Sequence, residues 1–299
     1  MSEQTAEKRQ LHLTGFTRRS LKPFRKIVIW KVLLAMLAAL VGYSLLLFPL
    51  DTLFSTSNNS QIAGIVSDYV GFIIILLVPF LFFVDIEHDG LYAEEIKSKK
   101  LLRFFRTILS VILIVFGLML VVKAFAIFFG QTDAVWSAVS NFVQTTNFDL
   151  TENFWLFIVF DVVLGLTAIT VLEEILYRAM LIGKLTEWLD LKWSIVVAAL
   201  IFAVFAPNVI AGFLLGLALG LIYVNSRSLL VVILCHAFYN LIMLILAVLR
   251  HTGAYDPRLL VFSNGYLEFF VGLVLLALGA LLFYRFLKRY WIKDGTLAL

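Results

Sequence analysis

The sequence predicts an all-α, polytopic membrane protein with about eight transmembrane helices and both termini in the cytoplasm. Of its 299 residues, 62% are hydrophobic and 15% are charged, whereas soluble domains are nearer half apolar and a quarter charged. Apolar runs of roughly 20 residues, long enough to cross a bilayer as helices, recur along the chain. Basic residues concentrate in alternate connecting segments, which assigns those segments to the cytoplasmic side.

The order of the apolar runs gives the topology. The predicted spans lie near 27–50, 62–84, 107–130, 152–175, 193–207, 208–225, 228–249 and 265–287. The loops 51–61 and 131–151 contain no lysine or arginine, so they are predicted to lie outside. The fifth and sixth spans meet at Pro207-Asn208, a break that should be buried in the helix bundle or lie beside a water-filled cavity.

Charge and composition divide the chain into four stretches and limit its partners. The stretches are a basic cytoplasmic segment (1–26), N-terminal transmembrane helices (27–130), a core (131–250) and a C-terminal helix with a basic tail (251–299). The net charge of +4 is unevenly placed, so it indicates topology and membrane lipid contact rather than nucleic-acid binding. The single cysteine excludes an intrachain disulfide framework. The predicted location is the cell membrane.

Two adjacent carboxylates, Glu173 and Glu174, stand at the cytoplasmic end of the fourth span and are followed by Arg178. A charge at membrane depth costs about 2.5–3.5 kcal/mol to insert and normally marks a functional site or a partnered network. On a helix Glu174 and Arg178 are four residues apart and share a face, so they are predicted to form an ion pair. Glu173 is rotated by about 100° and is left to face another group.

His236 and Asn240, four residues apart on the seventh span, enter the membrane from the same side as Glu173. A carboxylate can take a proton from water, while an imidazole and an amide can donate hydrogen bonds to a developing oxyanion. Each group alone has a structural explanation, as a core histidine or a helix-end ion pair. Their joint entry from one side favours a hydrolytic site. Cys235 points about 100° away from His236 and is predicted to be a packed, apolar thiol.

Three more ionisable residues, Asp68, Lys123 and Asp161, lie at a common depth of about 10–13 Å below the outer face. Because an unpaired charge is costly there, Lys123 is predicted to pair with Asp161, Asp68 or both. A structural pair is favoured over a proton relay. These charges and the break at Pro207 also suggest a small-solute transporter, although the chain shows no internal repeat.

The spacing of these residues resembles that of the CPBP (Abi) intramembrane proteases, which include CAAX prenyl endopeptidases and bacteriocin-processing or self-immunity proteins. The family motif Glu-Glu-x-x-x-Arg matches Glu173 to Arg178, and His-x-x-x-Asn/Asp matches His236 to Asn240. The resemblance covers about 152–245. It implies an endopeptidase for membrane-associated or prenylated-like peptides, in which Glu173 activates water. It further implies that Glu174 and Arg178 shape the site. His236 and Asn240 would stabilise the tetrahedral intermediate.

One position departs from the family pattern. The middle motif, Phe-x-x-x-His, begins at Phe202 and has Ala206 in place of the histidine, which in the family is thought to help activate water or bind a metal. A catalytic zinc takes three protein ligands and a water, and the ligands available for a divalent metal here are Glu173 and His236. The alternative to an active, metal-free endopeptidase is therefore an inactive relative that serves in bacteriocin self-immunity or as a partner-binding scaffold.

Overall fold

The computed structural model describes residues 98–129, 161–252 and 265–292, together with the single positions 71, 73, 74, 155, 158 and 159. The regular structure of these residues is entirely helical. They belong to two compact units, of which the first comprises 1–93 and 150–189 and the second 94–149 and 190–299. The basic segment 1–26, the first predicted span and Asp68 lie outside the described residues.

In the first unit, residues 161–185 form one continuous helix, named here the motif helix. Its parts are the π-helical segment Asp161–Ile169, the α-helical turn Thr170–Glu174, the π-helical segment Ile175–Ile182 and the α-helical turn Gly183–Leu185. The backbone stays helical at the junctions, with φ −63° and ψ −50° at Ile169. The wide spacing brings the Thr170 hydroxyl 2.7 Å from the carbonyl oxygen of Gly165, five residues earlier, to which it donates. π-Helical turns are rare and frequently occur at functional sites.

The second unit contains five described helices. They are α1 (Ser98–Phe128), α2 (Leu191–Phe205), α3 (Val209–Ser226), α4 (Leu229–His251) and α5 (Gly265–Tyr290). Four of them, α1, α3, α4 and α5, are long and apolar enough to cross a membrane, whereas α2 has only 15 residues. The prediction of an all-α polytopic membrane protein is confirmed. The total of eight spans and the location of the termini stay predictions.

Helices α1 and α5 run antiparallel with their backbones in contact. A Cβ atom built on Gly117 would lie 2.5 Å from the backbone nitrogen of Leu276, and one built on Gly279 would lie 2.8 Å from that of Ile114. Only glycine permits this approach, and close packing of small residues is a main source of helix association in a membrane. The glycines therefore fix α1 against α5.

A buried ion pair joins the end of α1 to the beginning of α5. The ammonium of Lys123 donates to Glu268 Oε1 at 3.0 Å, and the two residues are 6% and 1% exposed. Glu268 is a partner that the sequence analysis did not name. Of the two carboxylates it did name, Asp68 lies outside the described residues, and pairing of Lys123 with Asp161 stays a prediction.

Breaking this pair on one side is expected to destabilise the protein by about 3–5 kcal/mol, because the remaining buried charge loses its compensation. Lys123→Met and Glu268→Leu should each lower the free energy of unfolding measured by denaturant titration in detergent micelles. The double variant should recover most of the loss, since two apolar side chains leave no charge to bury. A double variant whose loss equals the sum of the single losses would show that the two charges are not coupled.

The α2–α3 hairpin contains the break that the sequence predicted. Asn208 is buried and caps α3, with its side-chain oxygen accepting from the backbone N–H of Ala211 at 2.9 Å. Cβ atoms built on Gly212 and Gly216 would lie 3.0 Å and 3.1 Å from the Cα atoms of Ala203 and Ala199 on α2. This close contact of the two helices holds the middle motif against α3.

Candidate active site

In the glutamate motif, Glu173-Glu174-x-x-x-Arg178, the two buried residues form an ion pair. Arg178 Nη1 lies 3.1 Å from Glu174 Oε1, and the two residues are 1% and 0% exposed. This is the pairing that the four-residue spacing predicted. Glu174 ends the α-helical turn and Arg178 lies in the following π-helical segment, so the ion pair bridges the junction between the two helix types.

Glu173 has a different environment from its neighbour, as the rotation of about 100° between adjacent helical residues requires. It is partly exposed, whereas Glu174 is fully buried. The arginine therefore pairs with the buried carboxylate, and the second carboxylate of the motif is partly exposed. A partly exposed carboxylate beside a fixed ion pair is suited to take a proton from a water molecule.

Tyr177 is a residue of this region that the sequence analysis missed. It follows Glu173 by four residues and is 2% exposed, and the Arg178 guanidinium lies 5.8 Å from the centre of its ring. The ring thus packs against the same arginine that holds Glu174, and a cation over an aromatic face is attracted to it. Its spacing from Glu173 was the signal that could have found it.

His236 lies on α4 and is 3% exposed. Its ring contacts Phe202 of α2 edge to face, with the ring centres 5.9 Å apart and an interplanar angle of 79°. Phe202 opens the middle motif, so this contact joins the middle and last motifs within the second unit and orients the imidazole. Asn240 is partly exposed and lies four residues later, on the same face of the helix. Cys235 is fully buried, which agrees with a packing role.

Ala206, which stands where the family has histidine, ends α2. Its backbone is extended, with φ −79° and ψ 145°, and Pro207 follows. A Cβ atom built on Gly212 would lie 2.5 Å from the Ala206 methyl carbon. The methyl group therefore lies directly against α3, and this position supplies no imidazole to the site.

The donor set does not fit a catalytic zinc ion. Such an ion takes three protein ligands and a water, and the described part of the chain holds no group of three or more histidine, cysteine, aspartate or glutamate side chains arranged to hold a metal. Among the described residues, no third such side chain completes a ligand set with the predicted candidates Glu173 and His236.

Comparison with protein families gives a match over residues 153–242 to the family described as Type II CAAX prenyl endopeptidase Rce1-like. Within this segment the chain is similar to the CAAX prenyl endopeptidases. The family resemblance predicted from the two motifs is thereby confirmed, although the matched segment is less than a third of the chain. No curated protein and no solved structure matches the chain.

The matched segment contains both halves of the predicted site and lies inside the predicted core 131–250. The motif helix carries Glu173, Glu174 and Arg178 in the first unit, and α4 carries His236 and Asn240 in the second. Each half is ordered internally, by the ion pair in one and by the Phe202 contact in the other. The convergence of the two halves on one substrate stays a prediction.

Proposed function

We propose that the protein is an intramembrane CAAX-type endopeptidase of the cell membrane that hydrolyses membrane-associated or prenylated-like peptides from the cytoplasmic side. The observation that carries this proposal is the division of roles in the glutamate motif, where Glu174 is buried against Arg178 and Glu173 is partly exposed. This division lies within the segment that matches the CAAX endopeptidase family. The fold supports the same conclusion, since a prenylated substrate partitions into the membrane that the helices cross.

The proposed reaction is attack of water on a peptide carbonyl. Glu173 takes a proton from the water as its oxygen bonds to the carbonyl carbon, which leaves a tetrahedral intermediate with a negatively charged oxygen. His236 and Asn240 stabilise that oxygen by donating hydrogen bonds. Glu173 then gives its proton to the departing amine as the C–N bond breaks, so the products are a carboxylic acid and an amine.

The proposal includes the predicted membrane topology. With about eight spans and both termini inside, the cytoplasmic end of the motif helix and the catalytic half of α4 open to the side where prenylated proteins are found. Substrates would then reach the site from the inner leaflet. The partners are thus membrane lipid and a peptide substrate in the membrane.

The test is cleavage of a synthetic peptide by the full chain in proteoliposomes. A peptide with a farnesylated C-terminal Cys-a-a-X sequence should be cleaved, and mass spectrometry should detect the released C-terminal fragment. The same peptide without the farnesyl group is the control, and it should be cleaved much more slowly because it does not partition into the bilayer. Equal cleavage of both peptides would contradict a prenylated-like substrate.

The alternative, an inactive relative that acts in bacteriocin self-immunity or as a partner-binding scaffold, is favoured by Ala206. The variant Ala206→His separates the two within the same assay. If the wild-type chain cleaves the farnesylated peptide, the endopeptidase is supported whatever the variant does. If the wild type is inactive and the variant gains roughly 10²-fold over background, the size of effect expected of one such group, the chain is a decayed enzyme.

A further inference from the structure

One end of the second unit gathers the termini of its described helices. The Lys100 ammonium donates to the Asn225 carbonyl oxygen at 2.7 Å, joining the start of α1 to the end of α3. The Asn225 amide donates to the carbonyl oxygen of Tyr290, the last residue of α5, at 3.2 Å. Lys192, near the start of α2, lies 5.9 Å from the ring centre of Trp291. Since α4 begins directly after α3, all five helices meet here, at what we name the basic end.

The basic end has a large excess of positive charge. Its cations are Lys99, Lys100, Arg103, Arg106, Lys192, Arg227, Arg285, Lys288 and Arg289. The acidic residues among the described residues of this unit are Asp190 and Glu268. Asp190 precedes α2, while Glu268 pairs with Lys123 at the opposite end of α1 and α5. Among the residues that the structure describes, one carboxylate therefore accompanies nine cations, and most of those cations are exposed.

Aromatic side chains place the basic end at the level of lipid headgroups. Trp193 on α2 and Tyr284 on α5 are 55% and 60% exposed. Exposed tryptophan and tyrosine near the ends of membrane helices lie at the boundary between hydrocarbon and water. Lys192, Arg285, Lys288 and Arg289 lie within one or two helical turns of these rings along the chain, and Lys100 is joined to the end of α5 through Asn225. The basic end therefore stands at the depth of lipid phosphates.

Arg227 is held at the basic end at a conformational cost. It closes α3 with left-handed backbone angles, φ 54° and ψ 27°, and its N–H donates to the Tyr223 carbonyl oxygen at 2.8 Å. Glycine is the usual residue at this position because it has no Cβ to strain. A cation that occupies a strained position points to a requirement beyond the turn itself.

We propose that the basic end binds the phosphate headgroup of an anionic phospholipid of the phosphatidylglycerol type. Charge complementarity selects an anion, and the aromatic side chains place that anion within the membrane surface rather than free in water. A lipid held there would contact helices that begin or end on both sides of the α3–α4 turn, and so would stabilise the helix that carries His236.

Native mass spectrometry of the full chain in mixed micelles tests this proposal. Retention of dioleoyl phosphatidylglycerol should exceed that of dioleoyl phosphatidylcholine. Each basic side chain removed should lower that preference about fivefold, so the triple variant Arg227→Gln, Lys288→Gln, Arg289→Gln should lose it by roughly 100-fold. Arg250→Gln is the matched control, because it removes one charge about 30 Å away at the other end of α4, and it should leave the preference unchanged.

The variant Arg227→Gly keeps the test decisive if the triple variant fails to fold. Glycine relieves the left-handed strain, so the midpoint of thermal unfolding in phosphatidylcholine should not fall, while phosphatidylglycerol retention should fall about fivefold. Unchanged retention in this variant, or an equal loss in Arg250→Gln, would overturn the proposal. Displacement of the lipid by inorganic phosphate would show a site for a free anion instead, and displacement by an acidic peptide would show a protein-binding surface.

Discussion

Replacement of Glu173 by glutamine is expected to abolish peptide cleavage without unfolding the protein. Glutamine has nearly the same size as glutamate but cannot take a proton from water, and a positioned general base contributes about 10²–10⁴-fold to a rate. Glu173 is partly exposed, and Arg178 is committed to Glu174, so the buried ion pair should be untouched. The measurement is the cleavage rate of a farnesylated peptide in proteoliposomes, beside the unfolding midpoint of each protein.

His236→Ala and Asn240→Ala extend this test to the second unit. Loss of one oxyanion donor is expected to reduce the rate by about 10²–10³-fold. His236→Ala also removes the contact with Phe202, so the more exposed Asn240 gives the cleaner readout. Glu187→Gln is the control, since it changes another glutamate of the first unit, one that pairs with Lys184 and has a side chain 42% exposed. Equal cleavage by Glu173→Gln and Glu187→Gln would remove Glu173 from the mechanism.

The parts of the site that sequence reasoning could find are those fixed by local helix geometry. Glu174 and Arg178 are four residues apart, and on any helix that spacing brings their side chains together, as the 3.1 Å distance shows. The pairing of Lys123 with Glu268 could not be found in this way. Glu268 is 145 residues away in sequence, and matching residues by their depth in separate spans pointed to Asp161 and Asp68, whose pairing with Lys123 stays a prediction. Only the packing of α1 against α5 brings Glu268 to that position.

Some helix boundaries could also be predicted from the sequence, and others could not. The predicted spans 193–207, 208–225 and 228–249 differ by one or two residues from α2, α3 and α4, because apolar runs and the Pro207 break define those ends. The span 107–130 begins nine residues after the start of α1, since the first turns of that helix are basic and do not register as membrane-buried. The π-helical segments of the motif helix could not be predicted, because they change the hydrogen-bonding register and leave the apolar pattern the same.

Breaking the buried ion pair of the motif helix is expected to cost as much stability as breaking the Lys123–Glu268 pair. Glu174→Leu or Arg178→Met alone leaves a charge that is almost completely removed from solvent, at a cost of about 3–5 kcal/mol in the free energy of unfolding. The double variant Glu174→Leu, Arg178→Met replaces both charges by apolar groups of similar volume. Such exchanges are often neutral or stabilising, so the double variant should fold with a stability near that of the wild type.

The double variant also shows whether the ion pair only stabilises the fold or also positions Glu173. If the ion pair serves only the fold, a stable double variant should cleave the farnesylated peptide at the wild-type rate. We expect instead a stable protein with a reduced kcat and a nearly unchanged KM, because Arg178 no longer fixes the helix turn that aims Glu173. Glu187→Gln again serves as control for activity. Its partner Lys184 is buried, so some stability should be lost, while kcat should stay at the wild-type value. Wild-type kcat in a stable double variant would assign the ion pair to the fold alone and leave Glu173 as the one functional carboxylate of the motif.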